Sequence, residues 1–407
     1  MSGKASALAL STLCSWAVAA GPACDRGPRA SALQPVRHVV VVTVDTLRAD
    51  HVGAYGGSVA TPAMDELARH GVLFEAAFTP TPSTAPAHVS LFSGLHPWNH
   101  GVLDNAVPFE AEQLPWLAAR AREAGFATAA FVSSYILAPR WGFDHGFDTY
   151  HFEPTRLASH ERGTERFPFW NRGSETTRAA LHWLEAHRDR PFFVWIHYFD
   201  PHSPYVPPPG YQRPRDEPVD LEGKTVPAAA RTREGLAALI RGYRGDVAYS
   251  DAQLGALLDR LGRLGLRDDT VLVFTADHGE GLGDHGYMAH AHHLFEEQVR
   301  VPLMIAGPGL PRGRRLRGPA QLEDLMPTLL ALMGIDVPES LDGVDLLPWV
   351  AGRTRASPRA AVLGQRAALP DRPLLFYQRR WPTKWIGELS GAGQTYRLDD
   401  DPREAAG

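Results

Sequence analysis

The sequence predicts an α/β protein: a large, mostly parallel, doubly wound sheet with helices on both faces, followed by a small C-terminal subdomain. Three observations carry this. His38-Val39-Val40-Val41-Val42-Thr43-Val44 is an unbroken β-branched run, the composition of a strand buried on both faces. Further apolar runs at Ala127 to Val132, Pro191 to His197, Val271 to Thr275 and Val301 to Ile305 alternate with helical patterns such as Thr176 to His187 and Glu234 to Leu264. Strand and helix in alternation is the pattern of parallel pairing through crossover helices. From about Ala320 the pattern changes: Leu322 to Met333 reads as a helix, and a less regular tail with Arg379-Arg380-Trp381 follows.

Taken in order, residues 1–24 read as an export signal. Lys4 supplies a positive start, and Ala5 to Ala20 is apolar but short for a bilayer span. Gly21-Pro22-Ala23-Cys24 reads either as a lipobox that would lipidate Cys24 or as ordinary signal cleavage, so the chain is expected to be periplasmic or anchored to a membrane. Residues 25–36 read as a tether, 37–318 as the catalytic domain and 319–407 as the C-terminal subdomain and tail. Thr61 begins a helix with Pro62 in its first turn, and Gly71 closes it. A second helix is expected from near Pro86 to Gly94. Pro204 to Pro227 is proline-rich and polar, a surface loop beside the site.

Of 407 residues, 44% are hydrophobic and 21% charged, with a formal net charge of −5. That balance leaves no electrostatic footprint for nucleic acid. The only cysteines, Cys14 and Cys24, precede the folded part, which therefore has no thiol nucleophile, disulfide or thiolate metal site.

Acids and histidines gather where strands end. Asp45 closes the first run, Asp277-His278-Gly279 follows Val271 to Thr275, and His197-Tyr198-Phe199-Asp200-Pro201-His202 follows Pro191 to Ile196. Open α/β sheets place ligands at the carboxyl edge, so these groups are expected to converge. Carboxylate and imidazole donors suit a divalent cation such as Ca²⁺, Mg²⁺, Mn²⁺ or Zn²⁺. An acid ending a buried run without a partner is costly, which favours a metal over a turn cap at Asp45. His202 reads as a site residue or as a brace for its proline-flanked loop. One or two of His290, His292 and His293 are expected to face the site, whereas His100 and His285, each beside glycine, read as structural.

These motifs resemble the sulfatases. Val44-Asp45-Thr46-Leu47-Arg48-Ala49-Asp50 resembles their opening motif, and Thr84-Ala85-Pro86-Ala87-His88-Val89-Ser90-Leu91-Phe92-Ser93-Gly94 is similar to their signature C-x-P-S-R-x-S-L-L-T-G. Asp200-Pro201-His202-Ser203-Pro204-Tyr205 matches D-P-H-x-P-Y, and Thr275 to Glu280, Leu282 to Gly286 and Arg300 to Leu303 match the distal metal motif. The resemblance runs from about residue 37 to about 350, and Asp399 to Glu404 is similar to the closing segment. It implies an alkaline phosphatase-like fold and a divalent metal held by Asp45, Asp277, His278 and Thr84. By the same likeness Thr84, His88, His202 and His290 are candidates for catalysis, and Arg48, His292 and His293 for substrate binding.

The departures from the family carry the functional expectation. Thr84 stands where sulfatases oxidise a cysteine or serine to formylglycine, and threonine cannot become that aldehyde. His88 replaces the arginine of the signature, Thr46 replaces a second acidic ligand, and Val132 to Gly142 holds no counterpart of the Lys-x-His segment. Threonine is the nucleophile in nucleotide pyrophosphatases/phosphodiesterases, lipoteichoic acid synthases and phosphoethanolamine transferases of the same superfamily. The resemblance therefore implies an ester hydrolase in which Thr84 forms a covalent ester. Phosphodiesters or phosphate esters are preferred over sulfate esters, because a sulfo-threonine has no elimination route. The substrate is expected to be a small-molecule, lipid or glycan ester. The alternatives are an exported phosphotransferase and a degenerate sulfatase-like protein that binds anions or glycans without turnover.

Overall fold

The computed structural model describes residues 34–159, 166–211, 232–368 and 373–405, with backbone alone for 157–159 and 166–168. Residues 1–33, which include the expected signal and both cysteines, lie outside the described residues, as does 212–231 of the proline-rich insertion.

The strands of the main sheet are, in chain order, β1 (His38–Val44), β2 (Val72–Phe78), β3 (Ala127–Val132), β4 (Thr149–His151), β5 (Phe192–Tyr198), β6 (Thr270–Ala276), β7 (Arg300–Val301), β8 (Leu303–Ala306) and β9 (Arg314–Gln321). β1 lies at the centre, parallel to β5 on one side and β6 on the other, and β3 and β4 continue the parallel array beyond β5. Past β6 the direction alternates: β8 runs antiparallel to β6 and β2, β7 pairs antiparallel with β2, and β9 pairs parallel with it. The strand expected from Val301 to Ile305 is thus two short strands broken at Pro302, which has no N–H for a ladder.

Helices cover both faces. In the β1–β5 register Val44 stands beside Tyr198 and Val41 beside Trp195, so period-2 alternation sends these two pairs to opposite faces. Tyr198 bonds through its hydroxyl to Thr177 of α3 (Gly173–His187), which marks one face. On the other face, His88 and Phe92 of α2 (Thr84–Ser93) set their rings 5.2 and 4.7 Å from Trp195. α4 (Arg233–Arg263) packs with α1 (Pro62–His70) and with α3, and α5 (Leu325–Met333) packs with α2.

All ten residues of α2 are buried, so it is enclosed around its whole circumference, with Thr84, His88 and Ser90 hydrogen-bonded inside the fold. It starts at Thr84, two residues before the expected position, and Pro86 falls in its first turn, where no amide donor is required. Gly94 ends it at φ 71°, a conformation glycine adopts without steric cost.

The tail is more regular than its sequence suggests. β10 (Val362–Arg366), β11 (Leu375–Arg380), β12 (Thr383–Gly387) and β13 (Gly393–Arg397) form an antiparallel four-stranded sheet. Phe78, Leu294, Val299, Val362 and Tyr377 make its core against the main body. Tyr377 donates to Thr79 O at 2.7 Å, and Gln365 N donates to Pro80 O at 2.8 Å. This sheet therefore fixes the connection that leads from β2 to Thr84.

Among the described residues, no helix is long and apolar enough to cross a membrane.

Candidate active site

The strand register assembles the site. Thr43, His197 and Thr275 are side by side on β1, β5 and β6, and two residues further on Asp45 and Asp277 follow Thr43 and Thr275. Period-2 alternation therefore puts Thr43, Asp45, His197, Thr275 and Asp277 on the face that α2 covers. After Asp277 the backbone turns sharply. Gly279 leaves no room for a side chain, since a Cβ there would lie 1.9 Å from Glu297 O, and its N–H is bonded to Gln298 O at 2.9 Å.

Thr84, at the first turn of α2, directs its Oγ1 to His278 Nε2 at 3.3 Å. His278 Nδ1–H donates to Gly279 O at 2.9 Å, which leaves the Nε2 lone pair pointing into the cluster. That nitrogen is 3.5 Å from Asp277 Oδ2 and 3.9 Å from Asp45 Oδ1. Asp277 Oδ1 accepts from His278 N at 2.8 Å and Thr46 N at 3.2 Å. The Thr46 amide reaches it because that residue sits at φ 57°, a left-handed conformation that is strained for a β-branched side chain.

Burial dominates the electrostatics. Asp45 and Asp277 are 1% exposed, and burial holds both carboxyls above their ordinary range. At Asp45 the charges of Asp277 and Glu280 add to the rise, whereas at Asp277 the imidazole of His88 and two backbone N–H bonds oppose it. Burial likewise pushes His278, His197 and His88 down. Both oxygens of Asp45 and Oδ2 of Asp277 have no hydrogen-bond donor. Each orphaned buried group costs about 1–3 kcal/mol, so three in one place call for a cation. The donor atoms of Asp45, Asp277 and His278 lie within 4.8 Å of one another, and carboxylate and imidazole are common donors to divalent metals. The residues present fit such an ion.

At the mouth, Glu280 accepts from Tyr205 Oη at 2.8 Å and pairs with His290 Nδ1 at 3.1 Å. Burial works against charge on His290, but the carboxylate of Glu280 outweighs it and holds the imidazole above its usual pKa. The His290 ring lies 4.5 Å from His278 and 5.1 Å from His202. His202 donates through Nδ1 to Ser203 O at 2.6 Å, and burial lowers it to about 4. The two mouth histidines thus differ in environment, one bonded to a carboxylate and one to a carbonyl.

The other sequence candidates take different places. His88 lies under Thr84: its Nδ1–H donates to Thr84 O at 2.8 Å, and its Nε2 accepts from the Thr43 hydroxyl at 3.0 Å. Trp195 Nε1 donates to that same hydroxyl at 2.9 Å, which turns the Thr43 proton toward His88 and fixes a neutral tautomer. The His88 ring braces the backbone of Thr84. Arg48 gives its guanidinium to Asp50, Asp284 and the carbonyl of Glu280. His293 stacks on Tyr287 at 3.9 Å and nears Phe295, toward the C-terminal sheet, and His292 is half-buried beside it in the chain. His100 accepts from or donates to Ser90 at 2.9 Å inside the fold, and His285 pairs with Glu297 and stacks on Phe295, which gives both the structural surroundings expected of them.

Sequence reasoning did not single out Asn105 or Arg172. Asn105 Oδ1 accepts from Ala85 N at 2.8 Å and from the Ser83 hydroxyl at 3.2 Å, so a distant loop caps the start of α2. Arg172 binds Asp200 Oδ1 at 2.6 Å and Asp246 Oδ1 at 3.5 Å, and both acids are buried. The acid of the Asp-Pro-His segment is therefore used to hold its loop. Substituting Arg172→Met leaves two buried carboxylates without their cation, and urea denaturation should register a loss of about 3–5 kcal/mol. A change below 1 kcal/mol would contradict the pairing.

The sheet with acids and a hydroxyl at its carboxyl edge defines an ester hydrolase of the alkaline phosphatase superfamily. Comparison makes this specific: the sulfatase family model matches residues 37–335, and the chain belongs to that family. A choline-sulfatase of Rhizobium meliloti is 29% identical over 401 residues, covering 84% of this chain and 76% of the relative. A multifunctional alkaline phosphatase superfamily protein of Trinickia caryophylli is 26% identical over 77% of each chain. The solved phosphonate monoester hydrolase of Agrobacterium radiobacter superposes with a TM-score of 0.74 at 25% identity, covering 92% of this chain and 91% of that one. Sulfatases typically bind a divalent metal ion, which agrees with the ligand groups described above.

Proposed function

We propose that the chain is a metal-dependent phosphoesterase built on the sulfatase fold, with Thr84 as nucleophile and a phosphodiester or phosphonate monoester as preferred substrate class. The observation that carries this reading is the buried Thr84 hydroxyl 3.3 Å from His278 Nε2, at the position where sulfatases hold a formylglycine precursor. The likeness to a phosphonate monoester hydrolase and to a multifunctional superfamily member supports it. The export signal read in residues 1–24 would set the reaction outside the cytoplasm.

A divalent cation held by Asp45, Asp277, His278 and Thr84 would favour the threonine alkoxide and polarise a non-bridging oxygen. Thr84 Oγ1 forms the new bond to phosphorus as the bond to the leaving oxygen breaks. His290, whose pKa the Glu280 carboxylate raises, gives its proton to that oxygen. Asn105, which accepts from Ala85 N, holds the start of α2 and with it Thr84, and the positive end of the helix dipole lies toward the anion. Water then attacks phosphorus, the bond to Thr84 Oγ1 breaks, and His202 Nε2, whose partner nitrogen already donates to Ser203, accepts the water proton. A threonine ester lacks the geminal hydroxyl through which a formylglycine hydrate expels sulfate, so turnover needs attack at the central atom.

The test is a comparison of aryl phosphodiester, aryl phosphonate monoester, aryl phosphate and aryl sulfate with purified protein and added Zn²⁺, Mn²⁺, Mg²⁺ or Ca²⁺. Phosphorus esters are expected to exceed sulfate in kcat/KM by at least about 100-fold, roughly 2.7 kcal/mol of transition-state preference. Sulfate turnover above that of every phosphorus ester would overturn the reading.

A further inference from the structure

The metal-site reading leaves one buried imidazole unexplained. His197, the penultimate residue of β5, has no exposed surface, and neither Nδ1 nor Nε2 has a hydrogen-bond partner among the described residues. Its Nε2 is 3.7 Å from Asp45 Oδ2, and donor atoms of His197, His88 and Asp277 lie within 4.8 Å of one another. Ligands about 2.1 Å from a common ion are separated by roughly 3–3.5 Å, and the 3.7 Å pair with Asp45 is near that spacing. Asp277 is common to this group and to that of Asp45 and His278. His88 is committed to Thr84 O and to Thr43, which leaves His197 as the imidazole of this second group with open nitrogens.

Position 46 supplies the reason. The resembling motif carries a second acid there, and this chain has Thr46, whose hydroxyl donates to Asp45 O at 2.7 Å and is thereby used within its own turn. A donor is missing just beyond the end of β1 and an unpartnered one stands on the neighbouring strand, on the same face and 3.7 Å from Asp45 Oδ2.

We infer that His197 is a metal ligand that replaces the acid lost at Thr46, so that the ion is held by Asp45, Asp277, Thr84 and two imidazoles, His278 and His197. This rests on the metal reading above and deepens it. Two nitrogen donors turn the site away from Ca²⁺, which takes six to eight oxygens, and toward Zn²⁺ or Mn²⁺.

The experiment uses the full-length chain, stripped by chelation and reloaded with one metal at a time. Pulsed electron paramagnetic resonance on the Mn²⁺ form should resolve two directly bound imidazole nitrogens in the unmodified protein and one in His197→Gln or His197→Ala. Zn²⁺ titration should show Kd raised at least about 10-fold in either variant, with Ca²⁺ affinity within about threefold. Adding Thr46→Asp to His197→Gln should raise Ca²⁺ affinity above that of the single variant, and aspartate tolerates the left-handed conformation of that position better than threonine does. A single nitrogen in the unmodified protein, with Zn²⁺ affinity unchanged in His197→Gln, would sink the role of His197 and leave the metal reading standing. No divalent metal bound by the unmodified protein would overturn both. The nitrogen count on the unmodified chain decides the matter even where a variant fails to fold.

Discussion

Replacing Thr84 by alanine is expected to lower kcat/KM on the preferred phosphorus ester by at least about 10³-fold while leaving the fold intact. The reason for the size of the loss is that no other hydroxyl occupies that place. Ser83 is turned to Asn105, and Thr43 and Thr46 are bonded to His88 and Asp45. The reason for an intact fold is equally local. The substitution removes a hydroxyl whose side-chain bond is a 3.3 Å contact with His278, and alanine is the better helix former. The melting temperature should therefore change by only about 2 °C or less. Thr84→Ser keeps the nucleophile and should retain activity within about 100-fold. Quenching the unmodified enzyme during turnover and mapping its peptides should find one phosphoryl group on the segment that begins at Thr84. Undiminished turnover by Thr84→Ala would remove the covalent mechanism altogether.

How far the sequence disclosed this protein depends on the kind of interaction. β1, β3, β5 and β6 were legible because strands buried on both faces are apolar nearly throughout and rich in β-branched and aromatic residues. β2 and β9 were not legible. Glu75 interrupts β2 because it pairs with Arg315 and Arg317 at the sheet margin, and β9 contains Arg314, Gly318 and Pro319, which local preference assigns to loops. The C-terminal strands hid for a related reason. Lys384 is fully buried there, tolerable only because Glu296 and Glu404 neutralise it at 3.1 and 2.8 Å, and that pairing is invisible in the local chain.

The site divides the same way. Asp45, Thr84, Asp277 and His278 were legible because a strand end or a signature announces each of them, and the structure brings these four together. His197 stood in plain view in an apolar run, but its value depends on the β1–β5 register, which pairs it with Thr43 and not with Asp45. Asn105 acts across twenty residues and Arg172 across twenty-eight, and nothing local marks either. Conversely, Arg48 and Asp200 sit inside recognisable motifs, and their side chains are taken up by Asp50 and Asp284 and by Arg172. A motif states that a residue is used without stating whether substrate or the fold uses it.

The second large effect has opposite signs in two conditions. Asp45→Asn should abolish turnover, again by at least about 10³-fold, because it removes a charged donor from the ion's ligand set. In the presence of a chelator the same variant should be more stable than the unmodified protein, by about 1–3 kcal/mol. Without a cation, Asp45 presents two unpartnered oxygens in a fully buried place, facing the charges of Asp277 and Glu280. Asparagine keeps the shape and removes that repulsion, in line with the gain seen when buried unpaired charge is replaced. With the cation at 1,000 times its Kd, binding stabilises the unmodified chain by about 4.1 kcal/mol, and the variant gains little. The order of the two melting temperatures should therefore reverse on adding metal, as urea or calorimetric unfolding in both buffers would record. A variant less stable than the unmodified protein in chelator would show that Asp45 already has a partner in the metal-free fold, and the case for a cation from orphaned oxygens would fail.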